Sequence, residues 1–430
     1  MSDDPPGQDK SDNLARTFRA FRSPNYRLFF FGQGLSLIGT WMQTLAMGWL
    51  VYRLTHSPWL LGVIGFCGQI PIFLLGPIAG VLADRFPRRR ILTLTQSLAM
   101  LQAFTLGALV LSGAIQVWHV VAMSLFLGTV NAFDMPTRQS FIVEIVPGKE
   151  DIGNAIAMNS TMFNSARLIG PMIAGLVIKL AGEGVCFAIN GVSFLAMIIA
   201  LRRMRLPPRP ARMEHNDMMR GMREGLSYAL RSPAILTVLV FVAAMSLVGM
   251  PYGVLMPVMA RTVLGGGSDT LGWLLGSGGI GAMIGALFLA ARRSSGDLGK
   301  TAATAAVIFG GGLIGLALSR YIPLSMAMMV LAGMGMTVQM ASNNTTVQTI
   351  VEDSKRGRVM SLYVMAHIGV APFGALLAGG LAQRIGAPNT LLIAGACSAA
   401  FAGLLALRLS LFRPRTLPAD ATNPPPPSLP

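Results

Sequence analysis

The chain has 430 residues, 53% of them hydrophobic and 12% charged, and carries a formal charge of +16. Soluble domains are about 25% charged, so this composition excludes a cytosolic enzyme, a disordered chain and a disulfide-stapled secreted domain. A basic balance also suits nucleic acid, but such proteins are not built from apolar runs of about 20 residues; nucleic acid is excluded and a lipid bilayer expected.

Residues 1–27 form a polar tail with Lys10, Arg16, Arg19, Arg22 and Arg27, and no apolar core of signal-peptide type precedes the first long run. Apolar runs long enough to span follow near 28–51, 59–83, 91–112, 117–138, 155–180 and 185–203. After a polar interval, others lie near 233–258, 270–291, 301–319, 321–344, 358–382 and 389–410. The pattern predicts an all-α membrane protein of 12 transmembrane helices, with 28–203 and 233–410 as two six-helix bundles. The interval 204–232 reads as a linker that opens with Pro207, Pro208 and Pro210, and its part from Met218 to Leu230 has the helical apolar spacing of a segment on the membrane face. Residues 411–430 are a Pro-rich cytoplasmic tail, and its extreme end, Pro424 to Pro427 with flanking Ser and Pro, is expected to be disordered.

Charge orients the spans. With both termini inside, 28 Lys and Arg fall on cytoplasmic segments and five (Arg53, Lys179, Arg261, Arg320 and Arg384) on the other side. Short loops rich in Lys and Arg stay in the cytoplasm, so both termini are assigned there. Arg167 is left inside the fifth run, near mid-membrane, where a charge must face protein or a water-filled cavity. Two roles are open to it: pairing with Asp134, or binding an anionic group of a substrate.

Few other titratable groups are embedded: Asp134, His367 and, near a boundary, Glu144. Gln43, Gln69, Asn131, Asn164 and Asn343, with Asn159, Asn190 and Gln339, are amides that line a moderately polar pathway or bond neighbouring helices. Cys67, Cys186 and Cys397 lie in apolar runs and read as buried thiols. The four His, at 56, 119, 215 and 367, are scattered, and no H-E-x-x-H or Walker A motif occurs. No metal, cofactor or enzymatic activity is expected, and any work of transport draws on a gradient.

The halves echo one another. Gln139 to Gly153 resembles Asn344 to Gly357, and Ile78 to Arg90 matches Ile284 to Gly296 in placement. Parallel six-span repeats are a transporter architecture. The stretch Gly80-Val-Leu-Ala-Asp84-Arg85-Phe-Pro-Arg88-Arg89 resembles the signature loop between spans two and three of the major facilitator superfamily, with Pro87 for the second Gly and Arg at 89 for Lys. Arg53-Leu-Thr-His-Ser57, Asp134-Met-Pro136 and Ala166-Arg-Leu-Ile-Gly-Pro171 are similar to the bacterial secretion-effector branch, which includes enterobactin exporters and macrolide efflux pumps. The resemblance covers about 28–410.

What it implies is a monomeric, multi-pass secondary transporter of the bacterial inner membrane that exports a small amphiphilic molecule, a siderophore or drug-like compound. Protons are the implied counter-ion. Gly80, Asp84, Arg85, Arg88 and Arg89 would form a cytoplasmic conformational latch, Gly80 allowing close helix approach. Gly170, Pro171 and Gly175 would make the fifth span bendable. Ala290 or Ala291 stands where the second half would carry the acid, and span one holds no acid, unlike many proton-coupled drug exporters of the superfamily. Uptake of a metabolite is the second reading, and a non-transporting scaffold or receptor the third.

Overall fold

The computed structural model describes residues 19–146, 148–206, 218–292 and 297–408. Residues 1–18 of the tail, Pro207 to Asp217 of the linker and the whole C-terminal tail from 411 lie outside the described residues. Everything long in it is helical. In chain order α1 is Pro24–Thr55, α2 Pro58–Arg85, α3 Arg88–Leu111, α4 Val117–Ile145, α5 Lys149–Arg203 and α6 Met218–Arg231. They are followed by α7 Pro233–Val248, α8 Ser268–Ala291, α9 Leu298–Leu318, α10 Ile322–Ile350, α11 Asp353–Val364, α12 Ala371–Ile385 and α13 Ala387–Leu407.

Local chemistry starts these helices. Ser23 and Ser57 each precede a proline that opens a helix, and each hydroxyl accepts a backbone N–H of the first turn, from Tyr26 and from Leu60. Serine at the cap satisfies a donor that the helix cannot, and proline at the first position has no N–H to lose.

Among the described residues, ten segments are long and apolar enough to cross a bilayer. Large apolar side chains stay exposed on their outer faces, among them Leu180 at 76% and Leu111 at 64%. In water such a surface would aggregate; in a bilayer it is what lipid requires. The chain is a multi-pass membrane protein.

Three irregularities were invisible in the hydropathy. α5 runs 55 residues, but Gly182 interrupts it with φ 82 and ψ 171, a backbone conformation that only glycine adopts cheaply. After α7 the chain passes through a 3-10 turn, Met250–Leu255, and a π-turn, Met259–Val263. A second π-turn, Met365–Gly369, joins α11 to α12. π-turns carry a residue too many for the α ladder and are frequent at functional sites.

Hydrogen bonds between residues 19–206 and 218–408 gather toward the end of the molecule where α1 turns into α2. Tyr52 Oη lies 2.6 Å from Thr262 Oγ1, Ser57 Oγ donates to Gln383 Oε1 at 3.0 Å, and Lys179 Nζ meets Asp269 Oδ2 at 2.7 Å. At the opposite end, the bonds of the 85–90 loop stay within 19–206: Arg88 reaches Ser140 and Glu144, and Arg89 reaches Arg202 and Met204. The seam is therefore closed at one end.

Candidate functional site

The embedded acid, Asp134, is 2% exposed and fully occupied. Thr95 Oγ1 and Gln96 Nε2 donate to its Oδ1 at 2.8 and 2.9 Å, and Arg138, one helical turn on, forms an ion pair with Oδ2. The structure thus gives Asp134 to Arg138, a residue the charge count treats as a loop cation, and not to Arg167. Its signal in the sequence is the i, i+4 spacing of opposite charges. Asp134→Ala is expected to destabilise the protein by about 3 kcal/mol, because removing one member of a buried pair strands the other. The check is thermal unfolding in detergent, where Asp134→Asn, which keeps an acceptor oxygen for Thr95 and Gln96, should lose less.

Arg167, 15 residues before the break at Gly182, is half-buried. Among the described residues no carboxylate lies within ion-pairing distance of it. Its partners are the Tyr252 hydroxyl, to which Nη2 donates at 3.5 Å, and the Trp41 ring, whose centroid is 5.9 Å from the guanidinium carbon. Phe163 packs edge-on against Trp41 at 5.7 Å, and Tyr252 edge-on against Phe309 at 5.8 Å. A cation held by a phenol and an aromatic face keeps most of its donors free. Tyr252 sits on the 3-10 turn after α7, a placement that hydropathy does not reveal.

The amides divide. Gln43 is structural glue: its Nε2 donates to Gln102 Oε1 and its Oε1 accepts from Asn190 Nδ2, both at 2.8 Å, tying α1 to α3 and to the end of α5. Gln69 and Asn164 bond carbonyls of their own helices, those of Gly65 and Ser160. Asn131 is half-buried with no side-chain hydrogen bond among the described residues. Asn343 is 2% exposed and its Nδ2 has no partner; with Gln339, Ser246, Tyr363 and His367 it lines a small cavity. His367 Nδ1 lies 3.0 Å from Ser246 Oγ.

In the loop motif, Arg88 is the hub, bonding Asp84 Oδ1 at 3.2 Å and Glu144 Oε2 at 3.4 Å. The Asp84 side chain is 68% exposed. Arg89 donates to the carbonyls of Arg202 (2.7 Å) and Met204 (3.1 Å), which closes off the C-terminus of α5. Arg85 is exposed and has no ion-pair partner among the described residues. A Cβ at Gly80 would meet nothing within 4 Å, so no close helix approach occurs there in this conformation.

Gly170 and Gly175 of α5 lie at close helix contacts. A Cβ on Gly170 would come within 2.6 Å of the Trp41 Cβ, and one on Gly175 within 2.6 Å of the Ser268 carbonyl oxygen. Pro171 turns its carbonyl toward Gly272, which faces Gly175 across the seam of α5 and α8. The break in the run comes later, at Gly182. Small residues bring helices together where lipid offers no hydrophobic drive.

Residues 15–429 match the model of the family described as transmembrane secretion effector, within the major facilitator superfamily. The staphyloferrin A transporter of Staphylococcus aureus is 25% identical, over 86% of this chain and 92% of that protein. The multidrug efflux pump Tap of Mycolicibacterium fortuitum is also 25% identical, over 82% of this chain and 88% of that one. Among solved structures, a bacterial homologue of the human lysosomal transporter Spinster superposes with a TM-score of 0.71 at 14% identity, covering 92% of this chain and 99% of that one. That likeness is one of fold alone.

Proposed function

The chain belongs to the transmembrane secretion effector family of major facilitator transporters, proteins that move solutes and do not transform them, and from that premise we propose that it exports an amphiphilic small molecule bearing an anionic group. The observation that carries this reading is Arg167: an embedded cation with an aromatic wall and a phenol beside it, and no carboxylate to neutralise it. A carboxylate or catecholate of the solute supplies the missing charge. The relatives lend support, one named for a siderophore and another for multidrug efflux.

The architecture we propose has twelve spans in two six-helix bundles, 28–203 and 233–410, in the bacterial inner membrane, with both termini cytoplasmic. The ten apolar segments, the interruption of α5 at Gly182 and the 32-residue α1 support that count. With this orientation the closed end is extracellular and Arg167 is reached from the cytoplasm. Export then requires the α5–α8 and α2–α12 seams to part while the Asp84 end closes. Asp84, exposed and held by Arg88, serves as the latch in that closed cytoplasmic state.

Protons moving inward are the proposed source of energy. In proteoliposomes containing the full chain and ~5 μM staphyloferrin A or ethidium, we expect a pH gradient to drive transport at least about tenfold above a collapsed gradient, since one pH unit supplies about 1.4 kcal/mol per proton. Identical rates with and without the gradient would sink the coupling; equal accumulation in cells with and without the protein, for every probe, would sink export.

A further inference from the structure

A second polar site lies apart from Arg167. It is the cavity between α7, α9, α10 and the π-turn that joins α11 to α12, and its volume is about 20 Å³. A water needs roughly 10–15 Å³ by this kind of measure, so the site holds a water and not a piece of substrate. His367 stands on the π-turn, half-buried, with Nδ1 bonded to Ser246 Oγ of α7 at 3.0 Å. From α10, Gln339 (4% exposed) and Asn343 (2%) face the same space, and Asn343 Nδ2 has no protein partner. A buried donor of this kind costs about 1–3 kcal/mol unless something accepts from it.

The titratable groups around His367 are few. α9 presents Phe309, α2 presents the Phe73 ring against Gly369, and α11 presents Tyr363, whose hydroxyl is engaged in donating to the Met340 carbonyl at 3.1 Å. The remaining lining is methionine and valine. No carboxylate or cation lines the cavity among the described residues, so any charge that appears there is that of His367.

We propose that His367 carries the coupling proton, with a water held by Asn343 and Gln339 as its conduit. With the extracellular side open, a proton from outside water adds to the ring nitrogen not bonded to Ser246, giving the imidazolium. With the cytoplasmic side open, the same nitrogen returns that proton to cytoplasmic water and the ring is neutral again. The site is wired to both moving parts. Phe309, in its wall, packs edge-on against Tyr252, which accepts from Arg167. Two residues beyond His367, Gly369 abuts Phe73, where α2 meets the start of α12. A charge appearing on the π-turn is thereby felt at the α2–α12 seam and, through the rings of Phe309 and Tyr252, at Arg167. This rests on the proton-coupled reading above, and names its residue.

The test needs no solute. Hydrogen–deuterium exchange of the full chain in nanodiscs, corrected for intrinsic rates, is read over the seam peptides 172–182 and 268–275 from pH 5.5 to 8.5. Wild type should show a sigmoidal change in protection, at least fivefold between the extremes. His367→Gln should flatten it to under twofold, while His119→Gln, on the α4 cap, leaves it intact. Ser246→Ala, which keeps the imidazole but removes its partner, should retain the amplitude and move the midpoint by about one pH unit, a displacement that a purely structural role would not produce. A His367→Gln protein that responds to pH as wild type does overturns the proposal, as does an unmoved midpoint in Ser246→Ala. Proteoliposomes separate this failure from that of the premise: gradient-driven ethidium or staphyloferrin A transport persisting in His367→Gln refutes the residue alone, whereas wild type indifferent to the gradient refutes proton coupling itself.

Discussion

Alanine at Arg167 is expected to weaken the recognition of anionic solutes by about thirtyfold or more while leaving cationic or neutral ones nearly untouched. Among the described residues the guanidinium is tethered only by the Tyr252 hydroxyl at 3.5 Å and the Trp41 ring, so its removal breaks no ion pair between helices there. Truncating one partner of a desolvated charge pair costs about 2–5 kcal/mol, and each 1.4 kcal/mol is tenfold in affinity. The half-saturating concentration of staphyloferrin A should therefore rise by about thirtyfold or more, with ethidium changed by less than about threefold. Lysine keeps the charge but loses the planar fork, and should recover part of the affinity. Equal loss for anionic and cationic probes would assign Arg167 to packing instead.

Leucine at Gly175 is expected to arrest the cycle with the α5–α8 seam apart. Even a Cβ there would approach the Ser268 carbonyl oxygen to 2.6 Å and the Gly272 Cα to 3.1 Å, and backbone atoms of two packed helices have no way to yield. Ser268 Oγ also donates to the Gly175 carbonyl, and one turn on Lys179 pairs with Asp269, so one bulky side chain removes a glycine contact, a hydrogen bond and an ion pair together. Export should fall at least about tenfold, since overpacking costs about 1–3 kcal/mol and here acts on one state only. The same change at Gly403, where a Cβ meets nothing within 4 Å, should be silent. Preserved transport in Gly175→Leu would show that this seam does not need to close.

Composition and pattern alone determined what kind of molecule this is. Runs of about 20 apolar residues admit only helices in a bilayer, because every backbone group must be satisfied within its own segment. The excess of Lys and Arg gives an expectation for the sides, and the Gly80 to Arg89 loop points to the family. Arg167 was also legible, because a charge in the middle of an apolar run stands out against every neighbour. Its partner was not. Asp134 looked available from the sequence, yet Arg138 takes it one turn along the same helix, a local contact that costs no tertiary arrangement.

Tertiary structure decided what depends on which faces meet. Gln43 is open in sequence to lining a pathway or bonding neighbouring helices, and α3 and α5 bring Gln102 and Asn190 to it, one on each end of its amide. Asn343 looks identical on paper and is left with an unpartnered donor beside His367. Gly170 and Gly175, which the family resemblance implies make the span bendable, lie at close helix contacts, and the break in the helix falls at Gly182, where a positive φ marks it. Hydropathy reports transfer from water to lipid one residue at a time. Whether a polar side chain in that medium is glue or a site depends on what the adjoining helix presents to it, and that is a property of packing.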